Sequence, residues 1–163
     1  MSTRRRNAPD GDFAFSLLDE IRASPEHPMP DGERQVNVQA ARQHLGQLAY
    51  GAAPSRLNWK VLSTIGNFFQ TMLTLGMIQD EDGLLDHAKA VLFTASKHAV
   101  EHGTMLRLVG AEVAIMENML EAYDEVLAAL PHRDAIRVFR ETDKRMRVRR
   151  PGDYDANPEK GKS

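Results

Sequence analysis

The most regular hydrophobic pattern in the chain runs from Asn58 to Gly76. Trp59, Leu62, Ile65, Phe69, Met72 and Leu73 recur there every three or four residues, the period of one face of an amphipathic helix. Val61, Phe68 and Leu75 widen that face, so the pattern predicts a helix enclosed by others rather than one lying on a surface. Asn58 is placed to cap its start, and Gly76 to end it in a left-handed conformation. Residues 34–50 read as a helix rich in small residues, with Val36, Ala40, Ala41, Leu45 and Leu48 inward and Gly51 and Pro54 beyond its end. Asp80, Glu81 and Asp82 stand where acidic side chains favour the positive end of a helix dipole. The helix they open runs to about His102, with Leu85, Ala88, Val91, Leu92, Ala95 and Ala99 inward and Gly103 as its terminator. A connection from Met105 to Gly110 buries Leu106 and Leu108. From residue 111 to 130 a further helix turns Val113, Met116, Leu120 and Leu127 inward and Glu117, Glu121, Asp124 and Glu125 outward. Pro131 breaks it and opens the last helix, which reaches about Arg147.

The two ends have a different character. After a polar, basic stretch at residues 1–11, Asp12 is placed to cap a short helix, DFAFSLLDEIRAS, with Phe13, Leu17 and Ile21 on one face. About three turns are too few for such a helix to stand alone. Two uses fit it: packing onto the domain, or docking as a motif into a partner's groove. The proline-rich SPEHPMPDG that follows is a linker, and the stretch from Arg149 onward is too polar and too rich in Pro and Gly to pack. The expected organisation is a flexible N-terminal segment over 1–32, a helical bundle domain over 33–148 and a disordered tail over 149–163. The expected fold is all-α, an antiparallel bundle of about five helices.

Composition narrows the function more than it defines it. Hydrophobic residues make up 42% of the chain and aromatics only 6%, which suits an Ala-, Leu- and Met-built helical core rather than a β-sandwich. The absence of cysteine excludes disulfides, thiolate zinc sites and cysteine nucleophiles, and it fits a reducing cytoplasm. No stretch approaches the roughly 20 apolar residues of a membrane span, and the basic N-terminus lacks the apolar core of a secretory signal. The expected setting is cytoplasmic, with no membrane partner.

Charge is distributed unevenly. At about 100° per residue, Arg133, Arg137, Arg140, Lys144 and Arg147 fall within an arc of about 80° on the last helix. Ile136, Phe139 and Met146 lie on the neighbouring face, so the helix docks and still presents a basic stripe. From His132 to Arg150 eight Lys and Arg face Asp134, Glu141 and Asp143, a local balance of +5. Three uses remain open for it: solvation or pairing with the acidic face of the preceding helix, contact with nucleic-acid phosphates, or contact with an acidic protein. No helix-turn-helix signature accompanies the stripe, so nucleic-acid contact would be to the backbone.

Candidate chemistry elsewhere is sparse. His98 and His102 are spaced for one metal, but His87 is about 16 Å away along the axis and no further ligand joins them. HAVEH lacks the order of a zinc-protease motif, no Gly-rich phosphate loop is present, and Ser63, Thr64 and Thr71 are placed to bond preceding carbonyls rather than to attack substrates. Asn67 and Gln70 interrupt the central apolar face; Asn67 is either a buried amide that sets register or an exposed edge residue. No cofactor, metal or catalytic residue is expected.

The order of ARQHLGQLAYG, then Trp59, Leu62 and Asn67 as W-x-x-L-x-x-x-x-N, then HAKAVLFTASKHAVEHG and LRLVGAEV, resembles a group of small all-helical proteins. These occur in proteobacteria, their phages and mobile elements, and some carry the loose label of Fis-type regulators. The resemblance spans residues 36–147 and implies a helical fold; no functional residues come with it. The resulting expectation is a non-enzymatic binding protein, an accessory or regulatory factor making protein–protein contacts through the basic helix or through Phe13, Leu17 and Ile21. The alternative is a DNA-binding regulator contacting phosphates through Arg133, Arg137, Arg140, Lys144 and Arg147. Self-association is expected if the central apolar helix needs a second chain to cover it.

Overall fold

The computed structural model describes residues 15–148, the side chain of Val148 excepted. All regular structure among them is helical: α1 (Leu17–Arg22), α2 (Asp31–Tyr50), α3 (Arg56–Thr74), α4 (Leu84–His102), α5 (Ala111–Ala129) and α6 (His132–Val148). Phe13, Asp12 and the residues from Arg149 onward lie outside this range.

The central position of α3 follows from its composition. Trp59, Val61, Leu62, Ile65, Phe68, Phe69 and Met72 are all buried, and α2, α4 and α6 pack around the helix. From the remaining side Tyr123 of α5 brings its ring edge-on to Phe68 and Phe69. Within one chain, the apolar face of α3 is therefore covered. The indole N–H of Trp59 donates to the Leu92 carbonyl at 2.9 Å, which satisfies its polar atom inside the α3–α4 seam.

Helix ends show where local chemistry differs from the periodic pattern. Ser55, not Asn58, caps α3. Its side chain accepts from the Asn58 N–H, while the Asn58 side-chain oxygen accepts from the Ser55 N–H at 2.7 Å. Asn58 thus serves as the third helical residue of a capping box, and its amide nitrogen meets His44 Nδ1 at 2.8 Å. At the other end Gly76 has φ 70°; its N–H reaches the Leu73 carbonyl and that of Met77 reaches Met72, the two bonds of a Schellman motif. Asp80 opens α4 by accepting the N–H groups of Leu85 and Asp86 on its two carboxylate oxygens. α2 begins at Asp31, earlier than its apolar pattern indicates, and Val36 and Leu75 are exposed rather than inward. The buried row of α2 is Val38, Ala41, Leu45 and Leu48.

Contacts fix two chain directions. Phe68 meets Phe139, Thr71 meets Thr142 and Thr74 meets Arg145, each pair offset by 71 residues, so α3 and α6 run the same way. α2 and α5 run oppositely: Arg34 pairs with Asp124, and the Leu48 carbonyl accepts the Leu108 N–H just ahead of α5. The Thr71–Thr142 contact, 2.9 Å long, is buried, and Thr142 also reaches the Val138 carbonyl and Thr71 the Asn67 carbonyl. Two hydroxyl protons serve three contacts, so the pair works as a short relay with one contact always unmade.

Two core hydroxyls, those of Ser63 and Tyr123, have no partner, and the larger side chain is the more informative. Tyr123 is fully buried, burial pushes its phenol well above the usual range, and its hydroxyl makes no hydrogen bond. Such a group costs about 1–3 kcal/mol. Tyr123→Phe is therefore expected to raise stability by about 1 kcal/mol in chemical denaturation, with the unfolding slope unchanged. A loss of that size would instead show that the hydroxyl is satisfied by a buried water.

The arginine face of α6 and the helix that covers it

The best-developed polar surface is the outer side of α6. Its inner side is fixed by the buried Ala135, Ile136, Val138, Phe139 and Thr142, and the helical period then sets where the arginines stand. The start of α6 is anchored by the proline-rich linker, because the N–H groups of His132 and Arg133 donate to the carbonyls of His27 and Ser24 at 2.8 and 2.9 Å. Two free donors of a helix start are satisfied in this way. Met29 is buried, so the linker is a packed strap over this end of the helix.

α1 lies across the arginines. Ser16 caps it, with Asp19 completing a capping box, so the helix starts after the position that Asp12 would have set. Phe15 rests against Phe139 with ring centroids 5.2 Å apart. The Glu20 side chain, only 13% exposed, meets Arg140 Nη1 at 3.1 Å and Arg137 Nε at 3.9 Å. Arg133 donates to the Glu20 carbonyl at 3.3 Å and to the Ile21 carbonyl at 2.9 Å, the carbonyl end of the short helix. With Phe15 near Phe139 and Ile21 near Arg133, α1 and α6 run antiparallel.

The residues that the sequence singled out, Phe13 apart, can now be placed. Arg133, Arg137 and Arg140 converge on α1. Arg147 pairs with Asp143 one turn back at 2.9 Å, and Lys144 is exposed without an ion pair among the described residues. Arg145, off the stripe, donates to Thr74. The acidic face of α5 is not the partner of the stripe: Asp124 pairs with Arg34 of α2, and Glu117, Glu121 and Glu125 face solvent. Leu17 and Ile21 are 54% and 57% exposed, and Leu18 stands beside them, so the apolar face of α1 points away from the bundle. Phe13 lies outside the described residues. Sequence reasoning missed Glu20, one of two adjacent acids between Leu17 and Ile21; Asp19 is used in the helix cap, and Glu20 faces an arginine-rich helix more than a hundred residues away.

Other candidate groups stay apart. The His98 and His102 rings lie 4.4 Å apart, tilted by 43°, on the exposed side of α4, and no group of three or more metal-ligating side chains occurs among the described residues. Thr64 and Thr71 bond the carbonyls four residues back, whereas the buried Ser63 hydroxyl has no partner. Asn67 is buried. A cleft of about 210 Å³ between α3 and α4 has Trp59 and Ser96 in its lining, with Arg56 as its charged residue. No described helix is long and apolar enough to cross a membrane.

α1 buries no residue within its own six, so its attachment rests on Glu20, Arg133 and the Phe15 contact. Glu20→Gln is expected to speed backbone amide exchange across Leu17–Ala23 by about tenfold while moving the melting midpoint of the bundle by no more than about 2 °C. Equal exchange in both proteins would show that the apolar contact alone holds α1.

Comparison of the chain with protein-family models, curated proteins and solved structures gave no significant match. The resemblance to a group of small all-helical proteins therefore rests on its sequence motifs alone.

Proposed function

We propose that the protein is a non-enzymatic binding protein, an accessory or regulatory factor that works by protein–protein contact, with the outward face of α1 as its contact surface. The observation behind this reading is the orientation of α1. Its Glu20 is turned inward onto arginines, and Leu17, Leu18 and Ile21 are turned to solvent on adjoining turns. A helix that served only to cover α6 would be as well built with polar residues at those three positions. An amphipathic helix offering leucine and isoleucine one turn apart is the usual ligand of an apolar groove on another protein. A cytoplasmic setting suits a chain with no cysteine.

The DNA-binding reading stands second, supported by Arg137, Lys144 and Arg147, which are exposed along one line of α6.

The test of the first reading is affinity capture from a native lysate with three full-length proteins. Leu17→Asp combined with Ile21→Asp is expected to lose a partner that the wild type retains. Val36→Asp, at a still more exposed apolar position on α2, is expected to keep it. Circular dichroism should be alike for all three. Retention by the double variant, or equal loss by the control, would refute the assignment of the surface.

A further inference from the structure

The three arginines under α1 direct their guanidinium groups at its oxygens. Arg140 and Arg137 address the two carboxylate oxygens of Glu20, and Arg133 addresses the carbonyl oxygens of Glu20 and Ile21. This is the donor set that binds phosphate: planar guanidinium groups presenting several N–H bonds to clustered anionic oxygens. We propose that Arg133, Arg137 and Arg140 form a binding site for the phosphates of a nucleic-acid backbone, and that α1 closes it by placing the Glu20 carboxylate where a phosphate would lie. The proposal rests on the second reading above, of α6 as a phosphate-contacting surface, and adds to it a location and a competitor.

Two further observations support it. The competitor is lightly held. α1 has six residues, none of them buried, and a helix that short has little stability of its own. Its opening therefore costs much less than unfolding the bundle. The row of cations also extends beyond what one carboxylate uses. From Arg133 to Arg147 the helix rises about 21 Å, the length of several phosphates spaced about 3.4 Å apart along a duplex axis. Arg137, Lys144 and Arg147 are exposed along that row, and Lys144 has no ion pair among the described residues. A single acidic side chain needs one end of this surface, whereas a polyanion matches all of it. That favours nucleic acid over an acidic protein segment as the occupant.

Such a site needs no recognition motif. Arginines directed at oxygens, without a helix-turn-helix, give backbone contact with little dependence on base sequence. Access would then be governed by whether α1 is in place.

The experiment is binding of full-length protein to a labelled random DNA duplex, titrated between about 50 and 200 mM salt. Four proteins are compared: wild type, Glu20→Gln, Glu26→Gln, and Glu20→Gln combined with Arg137→Gln and Arg140→Gln. Glu26→Gln removes the same charge from an exposed linker residue and controls for net charge. Glu20→Gln is expected to bind about tenfold more tightly than wild type at the lowest salt, with a salt dependence steeper by roughly two released counterions. Glu26→Gln should stay within about twofold of wild type, and the triple variant should lose the gain. Binding by wild type and Glu20→Gln with equal affinity would overturn the closure by Glu20 and leave the phosphate-contacting reading standing. No binding by either, even at low salt, would overturn both. Equal or tighter binding of Glu20→Gln to a polyglutamate peptide would overturn the nucleic-acid assignment in favour of an acidic protein segment.

Discussion

The structure depends on the packing of Phe68 against Phe139. Phe68 sits at the middle of α3, with the Phe139 ring of α6 4.6 Å away and Tyr123 of α5 edge-on at 5.6 Å, so one side chain joins three helices. In a chain with few aromatic residues this convergence supplies much of the shape of the core, since Ala, Leu and Met adapt to several registers. One turn further along the same seam, Thr71 meets Thr142 in a buried contact that tolerates no slip, because a shift of one residue would leave hydroxyls facing apolar groups. Thr74 and Arg145 repeat the offset on the next turn. Together the ring pair and the hydroxyl pair set both the direction and the rotation of α6.

That rotation determines the chemistry of the surface. Once Phe139 faces α3, the helical period carries Arg133, Arg137 and Arg140 to the flank where α1 lies, and Phe139 itself touches Phe15 at its rim. The placement of α1 is therefore a consequence of the core. Arg34 shows the same economy elsewhere, using Asp31 on its own helix and Asp124 across the α2–α5 seam. Most of the ion pairs are partly exposed and each adds little to stability. Their effect is on orientation.

What the sequence reveals divides along the range of the interactions. Helix α3, its glycine terminator and the inward row of α4 are legible because a period of 3.6 residues is a local signal. The position of Ser55 as cap is also local, yet Asn58 three residues on is an equally good capping residue, and the reciprocal bond between them settles which is which. Val36 fits a helical face by spacing but is exposed, because the inward row of α2 is selected by what α3 and α5 present to it. The basic stripe on α6 is likewise visible in the sequence, while its partner is not. The preceding helix offers an acidic face close by in sequence, and a single glutamate in the N-terminal segment is what the tertiary contacts bring to Arg137 and Arg140.

The orientation of α1 is the clearest case of a long-range interaction overruling a local pattern. Turning Leu17 and Ile21 inward would gain about 1.5–3 kcal/mol for each side chain fully buried. The floor under α1, however, is made of guanidinium groups as much as of rings. Leucines pressed onto Arg137 and Arg140 would take water from two cations and give no hydrogen bond in return, a loss of several kcal/mol per group when dewetting is complete. Glu20 meets both cations at once, and the carbonyl end of the helix meets Arg133, so the polar side of α1 is the better fit to a face whose arginines were positioned by α3. The apolar residues left outside are then the remainder of that choice, and they are what gives this small helix a surface on which another molecule can act.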